Sequence, residues 1–144
     1  MRILVVEDDF VSRCVFSEYL RPYGVCDVAA NGLEGLKAFQ LAFDSGKPYE
    51  LICLDIMMPE MDGQTVLKEI RKYEEEKGIK GLEGVKIIMT TALDDFQSIM
   101  TAFKGQCEGY LVKPIEKGKL VQQLRNLGLI DEGNSGVPAP QNNS

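Results

Sequence analysis

LICLDIMMPEMDG, residues 51–63, joins four apolar residues to a carboxylate, Asp55, and then to a loop with methionines, a proline and an acid–glycine pair. Leu51 to Leu54 shows no alternation of apolar and polar residues, so it reads as a strand buried on both faces of a parallel sheet. A charge at the end of such a strand is costly unless something compensates it. Asp62 and Gly63 suit the cap and the opening of a helix. Met58 and Met61 read as packing and loop residues.

The pattern repeats on either side. "ILVV" (3–6), "VKIIMT" (85–90) and "GYLV" (109–112) are strand-like, and "CDVAA" (26–30) is a weaker example. Thr90, inside its run, reads as packing. Helical spacing fills the gaps between strands. Residues 10–21 place Val11, Val15 and Tyr19 in one i+4 row and Phe16 and Leu20 in the next. Residues 33–43 carry Leu36, Phe39 and Phe43. Residues 64–77 carry Val66, Leu67, Ile70 and Tyr73, then "EEEK", which reads as exposed. Residues 94–104 carry Phe96, Ile99, Met100 and Phe103, and residues 116–127 carry Leu120, Val121, Leu124 and Leu127. Each is an apolar stripe on a polar helix, and Gly24, Gly78 and Gly128 fall where helices should stop. Strict alternation predicts an α/β domain over residues 1–129, a doubly wound five-stranded parallel sheet flanked by five helices. Residues 130–144, which read "DEGNSGVPAPQNNS" from 131 onward, are expected to be a disordered tail or linker.

Composition narrows the function classes. The 144-residue chain has a formal net charge of −6 and a pI near 4.7, which disfavours direct nucleic-acid or anionic-membrane binding. No apolar run approaches the roughly 20 residues needed to cross a bilayer. The amino terminus enters a strand pattern without signal-peptide architecture, so a cytoplasmic location is expected. Cys14, Cys26, Cys53 and Cys107 form no C-x-x-C pair and each lies in or beside an apolar segment, which predicts buried, reduced thiols. The chain has no histidine, so it can form no His-based catalytic triad, no His-ligated zinc site and no phosphohistidine of its own.

The strand ends carry the chemistry. In a parallel sheet, ligands bind beyond the carboxyl ends of the strands. There the sequence places Glu7, Asp8 and Asp9 after the first strand, Asp55 after the third, Thr91 after the fourth and Lys113 after the fifth. Asp9 suits a helix cap. The other carboxylates, without His or Cys partners, suit a hard divalent cation, Mg²⁺, with Mn²⁺ as a substitute. A cation relieves their mutual repulsion and leaves Asp55 as an ionised nucleophile capable of forming an aspartyl-phosphate. The Mg²⁺ ion, Lys113 and the Thr91 hydroxyl would share the charge of the phosphoryl oxygens.

In order, "ILVVEDD", "LDIMMPEMDG", "TTA" and "GYLVKP" resemble the receiver domain of two-component response regulators, the family that includes the chemotaxis regulator. The resemblance covers residues 1 to about 128. It implies a flavodoxin-like fold in which Asp55 is the phosphoacceptor. Asp8 would bind the metal directly, Glu7 largely through water, and the Met57 carbonyl would complete the protein ligands with Asp55. Thr91 would move toward the phosphoryl group. Tyr110 would swing inward, coupling the site to the surface of the helix at 94–104 and the strand at 109–112. Lys113 would pair with the phosphate, and its bond to Pro114 would be cis. The protein would then be a switch, not an enzyme acting on a separate substrate. It would take a phosphoryl group from a sensor histidine kinase or phosphotransfer protein and change its partner-binding face. Its downstream protein target is not named by the residues, and a homodimer through the face from 94–104 to 116–127 is left open.

Departures from the family pattern are Glu7 in place of Asp and two long loops, "DSGKPYE" (44–50) and "EEEKGIKGLEG" (74–84). Met57 and Leu93, both apolar, flank the expected phosphoryl position and cannot orient water, so slow self-dephosphorylation is expected. Competing readings are weaker. A phosphatase with an aspartyl intermediate needs a second carboxylate where Met57 stands. A nucleotide or flavin module needs a glycine loop where "EDDF" stands. A degenerate receiver serving only as an interaction scaffold would not need all the reacting residues.

Overall fold

The computed structural model describes residues 1–80, 83–92 and 106–131. Its strands are β1 (Arg2–Val6), β2 (Val25–Ala29), β3 (Leu51–Asp55), β4 (Lys86–Thr91) and β5 (Gly109–Val112). Its helices are α1 (Phe10–Leu20), α2 (Gly32–Asp44), α3 (Gly63–Glu76) and α4 (Lys117–Asn126), with a 3-10 turn at Arg21–Tyr23. All pairings are parallel, and the order is β2-β1-β3-β4-β5. The fold class is as expected. The helix expected at 94–104 lies outside the described residues, as does most of the expected tail.

The central strands are apolar throughout because helices cover both faces. Leu4, Val6, Ile52, Leu54, Ile87 and Met89 join α2 and α3 in one core. Ile3, Val5, Leu51, Cys53, Ile88 and Leu111 join α1 and α4 in the other. Alternation along each strand divides its residues between the two layers. Edge strand β2 is only partly buried, which accounts for its weaker apolar pattern. Three helices start on side-chain caps that accept a backbone N–H: Asp9 from Ser12, Asn31 from Glu34 and Asp62 from Thr65.

Three expectations are corrected. In α1 the sheet takes the Phe16–Leu20 row into the core, while Val11 is 65% exposed. One helix face can meet the sheet, so Val11 turns outward, while Val15 is half-buried and Tyr19 of the same row packs against the edge of the core. Cys14, three residues from Val11 on that outer arc, is exposed and Cys26 is half-buried, leaving Cys53 and Cys107 as the buried thiols. Glu74, the first residue of "EEEK", is only 4% exposed. Arg71 Nη1 donates to its Oε1 at 2.8 Å and the Val85 amide to its Oε2 at 2.7 Å, so the loop at 83–85 closes over a satisfied carboxylate. Gly78 and Gly128, at φ 87° and 74°, do end α3 and α4. Gly24 caps the 3-10 turn at Arg21–Tyr23, in extended backbone beside Met1, where a Cβ would stand 2.0 Å from the Met1 carbonyl oxygen.

The described residues of the two long loops sit at the opposite end of the strands from Asp55. Tyr49 is buried, its hydroxyl donates to Asp27 Oδ2 at 2.7 Å, and the Arg2 guanidinium lies 4.7 Å above its ring. Burial first, then the Asp27 carboxylate, pushes the Tyr49 phenol up to about 12. Tyr73 donates to Asp44 Oδ1 at 2.6 Å, which ties α3 to the end of α2. Among the described residues no helix is long and apolar enough to cross a membrane.

Candidate functional site

The chain builds β2 on one side of β1 and then β3 on the other, so the strand order reverses between β1 and β3. Such a reversal opens a crevice at the carboxyl ends of the strands. Glu7 follows β1 and Asp55 ends β3, and the two are 1% and 2% exposed. Asp8 is exposed at the mouth. Each of the three offers a carboxylate oxygen, and these lie within 4.8 Å of one another.

Lys113, just after β5, reaches back into the crevice. Its Nζ lies 3.1 Å from Glu7 Oε1 and 3.3 Å from Asp55 Oδ2, and it donates to Glu7 Oε2 at 3.2 Å. The Lys113 amide donates to the Thr91 carbonyl at 2.8 Å, and the Lys113–Pro114 peptide is cis. The Met57 amide donates to Asp55 Oδ1 at 3.2 Å, while the Met57 side chain is 62% exposed. Gly63 lets the start of α3 approach: a Cβ there would stand 2.1 Å from the Asp55 carbonyl oxygen.

Electrostatics follow from burial. Burial, then the charge of Asp55, pushes Glu7 up to about 7 against the pull of Lys113. Burial also raises Asp55, with Lys113 and the Met57 amide opposing it. Two buried carboxylates this close resist ionising together, so the pair holds a proton more tightly than free carboxylates do. Burial works to lower the Lys113 ammonium, but Asp55 and Glu7 outweigh it and raise it. Asp9 is separate: its carboxylate takes hydrogen bonds from the Ser12 hydroxyl and amide, both at 2.8 Å, and these lower it. It is the helix cap expected.

The crevice suits a hard cation. Its donors are carboxylate oxygens, and the only cation facing the buried Glu7 and Asp55 carboxylates among the described residues is Lys113, which leaves lone pairs for a metal or its water.

The other expected residues are nearby but separated by the pleat. Thr91 ends β4, fully buried, and its hydroxyl has no hydrogen-bond partner among the described residues. Tyr110 lies in β5 next to Leu111 and so faces the other side of the sheet, 38% exposed. Leu93 lies outside the described residues. Two contributors were not singled out from the sequence. Arg13 in α1 donates to the Glu7 carbonyl at 2.8 Å, a reach across six residues with no local signature. Thr90, read as packing, has a buried hydroxyl that is also without a partner. Its signal was a hydroxyl inside an otherwise apolar run.

A sequence model of the response regulator receiver domain matches residues 3–125, and the chain belongs to that family. It is thus a receiver domain of two-component signalling. It is 35% identical over 134 residues to the probable transcriptional regulator ycf29 of Porphyra purpurea, covering 92% of this chain and 59% of that protein. The chain spans about half the length of the first curated relatives it matches. Among solved structures it is similar to the receiver domain of the histidine kinase CKI1 from Arabidopsis thaliana, complexed with Mg²⁺ and BeF₃⁻. That match has TM-score 0.73 and 27% identity, over 88% of this chain and 89% of that one. It is also similar to the Saccharomyces cerevisiae histidine phosphotransfer protein Ypd1–Ssk1 receiver co-crystal structure, with TM-score 0.75 and 25% identity over 89% and 88% of the chains.

Proposed function

We propose that this protein is a phosphorylation switch in which Asp55 accepts a phosphoryl group from a phosphohistidine. The observation that carries the reading is the buried Asp55 carboxylate, placed beside Glu7 and Asp8 and 3.3 Å from the Lys113 ammonium. These 144 residues hold no histidine, so the phosphohistidine donor lies outside them, in a sensor histidine kinase or a phosphotransfer protein. The structures solved with a phosphotransfer protein and with Mg²⁺ and BeF₃⁻ support this for similar domains.

Glu7, Asp8, Asp55 and the Met57 carbonyl would hold Mg²⁺ or Mn²⁺. Bound there, the ion neutralises the carboxylates and offsets charge on the phosphoryl oxygens. One Asp55 oxygen attacks phosphorus as the bond to the donor nitrogen breaks. The Met57 amide holds the other end of the carboxylate. Lys113, freed from its contact with Asp55, pairs with the incoming phosphoryl group. Thr91 supplies a hydroxyl from the end of β4, and Tyr110 carries the change to the face of β5 and α4, where a downstream protein or a second copy binds. The work of the domain is its own phosphorylation and dephosphorylation, in the cytoplasm. Met57 offers no group to orient water, so the phosphorylated state is long-lived; a half-life of seconds would contradict this.

The test is intact mass after incubation with acetyl phosphate. Wild type should gain one phosphoryl group only with Mg²⁺ present, and Asp55→Asn should gain none. A gain that persists in Asp55→Asn would place the chemistry elsewhere.

A further inference from the structure

The Thr90 hydroxyl is buried, at 1% residue exposure, and has no hydrogen-bond partner among the described residues. Leaving a hydroxyl unpaired in a core is unfavourable, whereas valine would fill the same space without that penalty. Its position in the sheet gives the hydroxyl a use. Thr90 is the register partner of Asp55 on β3 and of Leu111 on β5. Register partners on parallel strands project to the same face, and strands lie about 4.8 Å apart. Thr90 therefore stands beside Asp55, on the face that also carries Ile88, Cys53 and Leu111. Thr91, one residue on, projects to the other face. Of the side chains flanking Thr90 on its own face (Ile88, Leu111 and Asp55), only Asp55 can accept a hydrogen bond.

We propose that Thr90 is a hydrogen-bond donor to the Asp55 carboxylate and sets the lifetime of the phosphorylated state. The inference rests on the phosphoacceptor role of Asp55. In dephosphorylation a water oxygen bonds to phosphorus, the bond from phosphorus to the Asp55 oxygen breaks, and its electron pair returns to the carboxylate while the water proton goes to solvent. Negative charge grows on Asp55 as that bond loosens. A rotation about χ1 of Thr90 aims its hydroxyl at the adjacent carboxylate. A donor there is worth more in the transition state than in the acyl phosphate, so it speeds the loss of the phosphoryl group. Thr91 and Lys113 act on the phosphoryl group; Thr90 acts on the carboxylate it leaves.

The test compares wild type, Thr90→Val and Thr90→Ser. Each is phosphorylated with phosphoramidate and Mg²⁺, the donor is removed, and loss of the phosphoryl mass is followed while thermal unfolding of the unmodified proteins is recorded. Thr90→Val should lose its phosphoryl group about five-fold more slowly, with an unfolding midpoint no lower than wild type, and Thr90→Ser should decay as wild type does. A Thr90→Val protein that decays at the wild-type rate overturns the inference. So does one that decays slowly but also unfolds at lower temperature, with Thr90→Ser behaving likewise, since that assigns Thr90 to packing. A wild type that takes up no phosphoryl group overturns the proposed function together with this inference, whereas a modified wild type with an unaltered Thr90→Val overturns the inference alone.

Discussion

At the scale of the residue, Glu7 shows how burial converts an acid into a site. Its carboxyl, pushed up to about 7 by burial and by Asp55, binds a proton more tightly in the folded than in the unfolded chain. A raised acid contributes stability in full below its unfolded value, near 4.5, and loses that contribution as the pH rises to about 7. Asp55 is raised as well and works in the same sense, while the raised Lys113 acts only at far higher pH. In chelator, wild type should therefore lose about 1–3 kcal/mol relative to Glu7→Gln between about pH 4.5 and 7. Urea denaturation of both proteins across that range measures it, and parallel pH profiles would show that Glu7 ionises freely. The motif residues were legible as a set because each ends an apolar run. The raised proton affinity of the Glu7–Asp55 pair was not, because it depends on distances across the sheet.

At the scale of the element, Arg71 holds two segments to α3. Its guanidinium donates to Glu74 and to the Val85 carbonyl ahead of β4, and to Glu108 and the Gln106 carbonyl ahead of β5. Glu108 also accepts from the Ile87 amide at 2.8 Å. Arg71→Met would leave two largely buried carboxylates without their cation, and a loss of about 3–5 kcal/mol is expected. An unchanged urea midpoint would mean that the network contributes nothing net. The helical period located α3 correctly but read Glu74 as exposed, because hydrophobic periodicity carries no information about a salt bridge closed by a loop. The same limit explains α1, where two apolar rows were visible and only contact with the sheet selected Phe16 and Leu20.

At the scale of the whole molecule, the site joins β1, β3 and β5, so occupying it should stabilise the entire fold. A ligand that binds only the native state adds stability by mass action, about 2.7 kcal/mol at a hundred times its dissociation constant. Saturating Mg²⁺ or Mn²⁺ should raise the thermal midpoint of wild type and leave that of Asp8→Asn unmoved. Asp8 is exposed and holds no part of the core, so the substitution itself should cost little stability. An equal rise in both proteins would mean that the ion binds elsewhere. The described parts of the segments at 44–50 and 74–84 lie at the other end of the strands, fastened by Tyr49 to Asp27, by Tyr73 to Asp44 and by Glu74 to Val85, and the ion should leave them unaffected.

The sequence by itself determined the alternation of strands and helices, the parallel sheet and the identity of the groups at the strand ends. These follow from hydrophobic period, caps and chain order, which are local properties. Packing between distant segments decided that Lys113 reaches both buried carboxylates of the crevice between β1 and β3, that Glu74 is buried and Cys14 is not, and that Thr90 rather than Thr91 is the register partner of Asp55. Each of these depends on strand register or on packing between segments distant in the chain. A one-residue shift in register would exchange the faces of the two threonines without changing any local pattern.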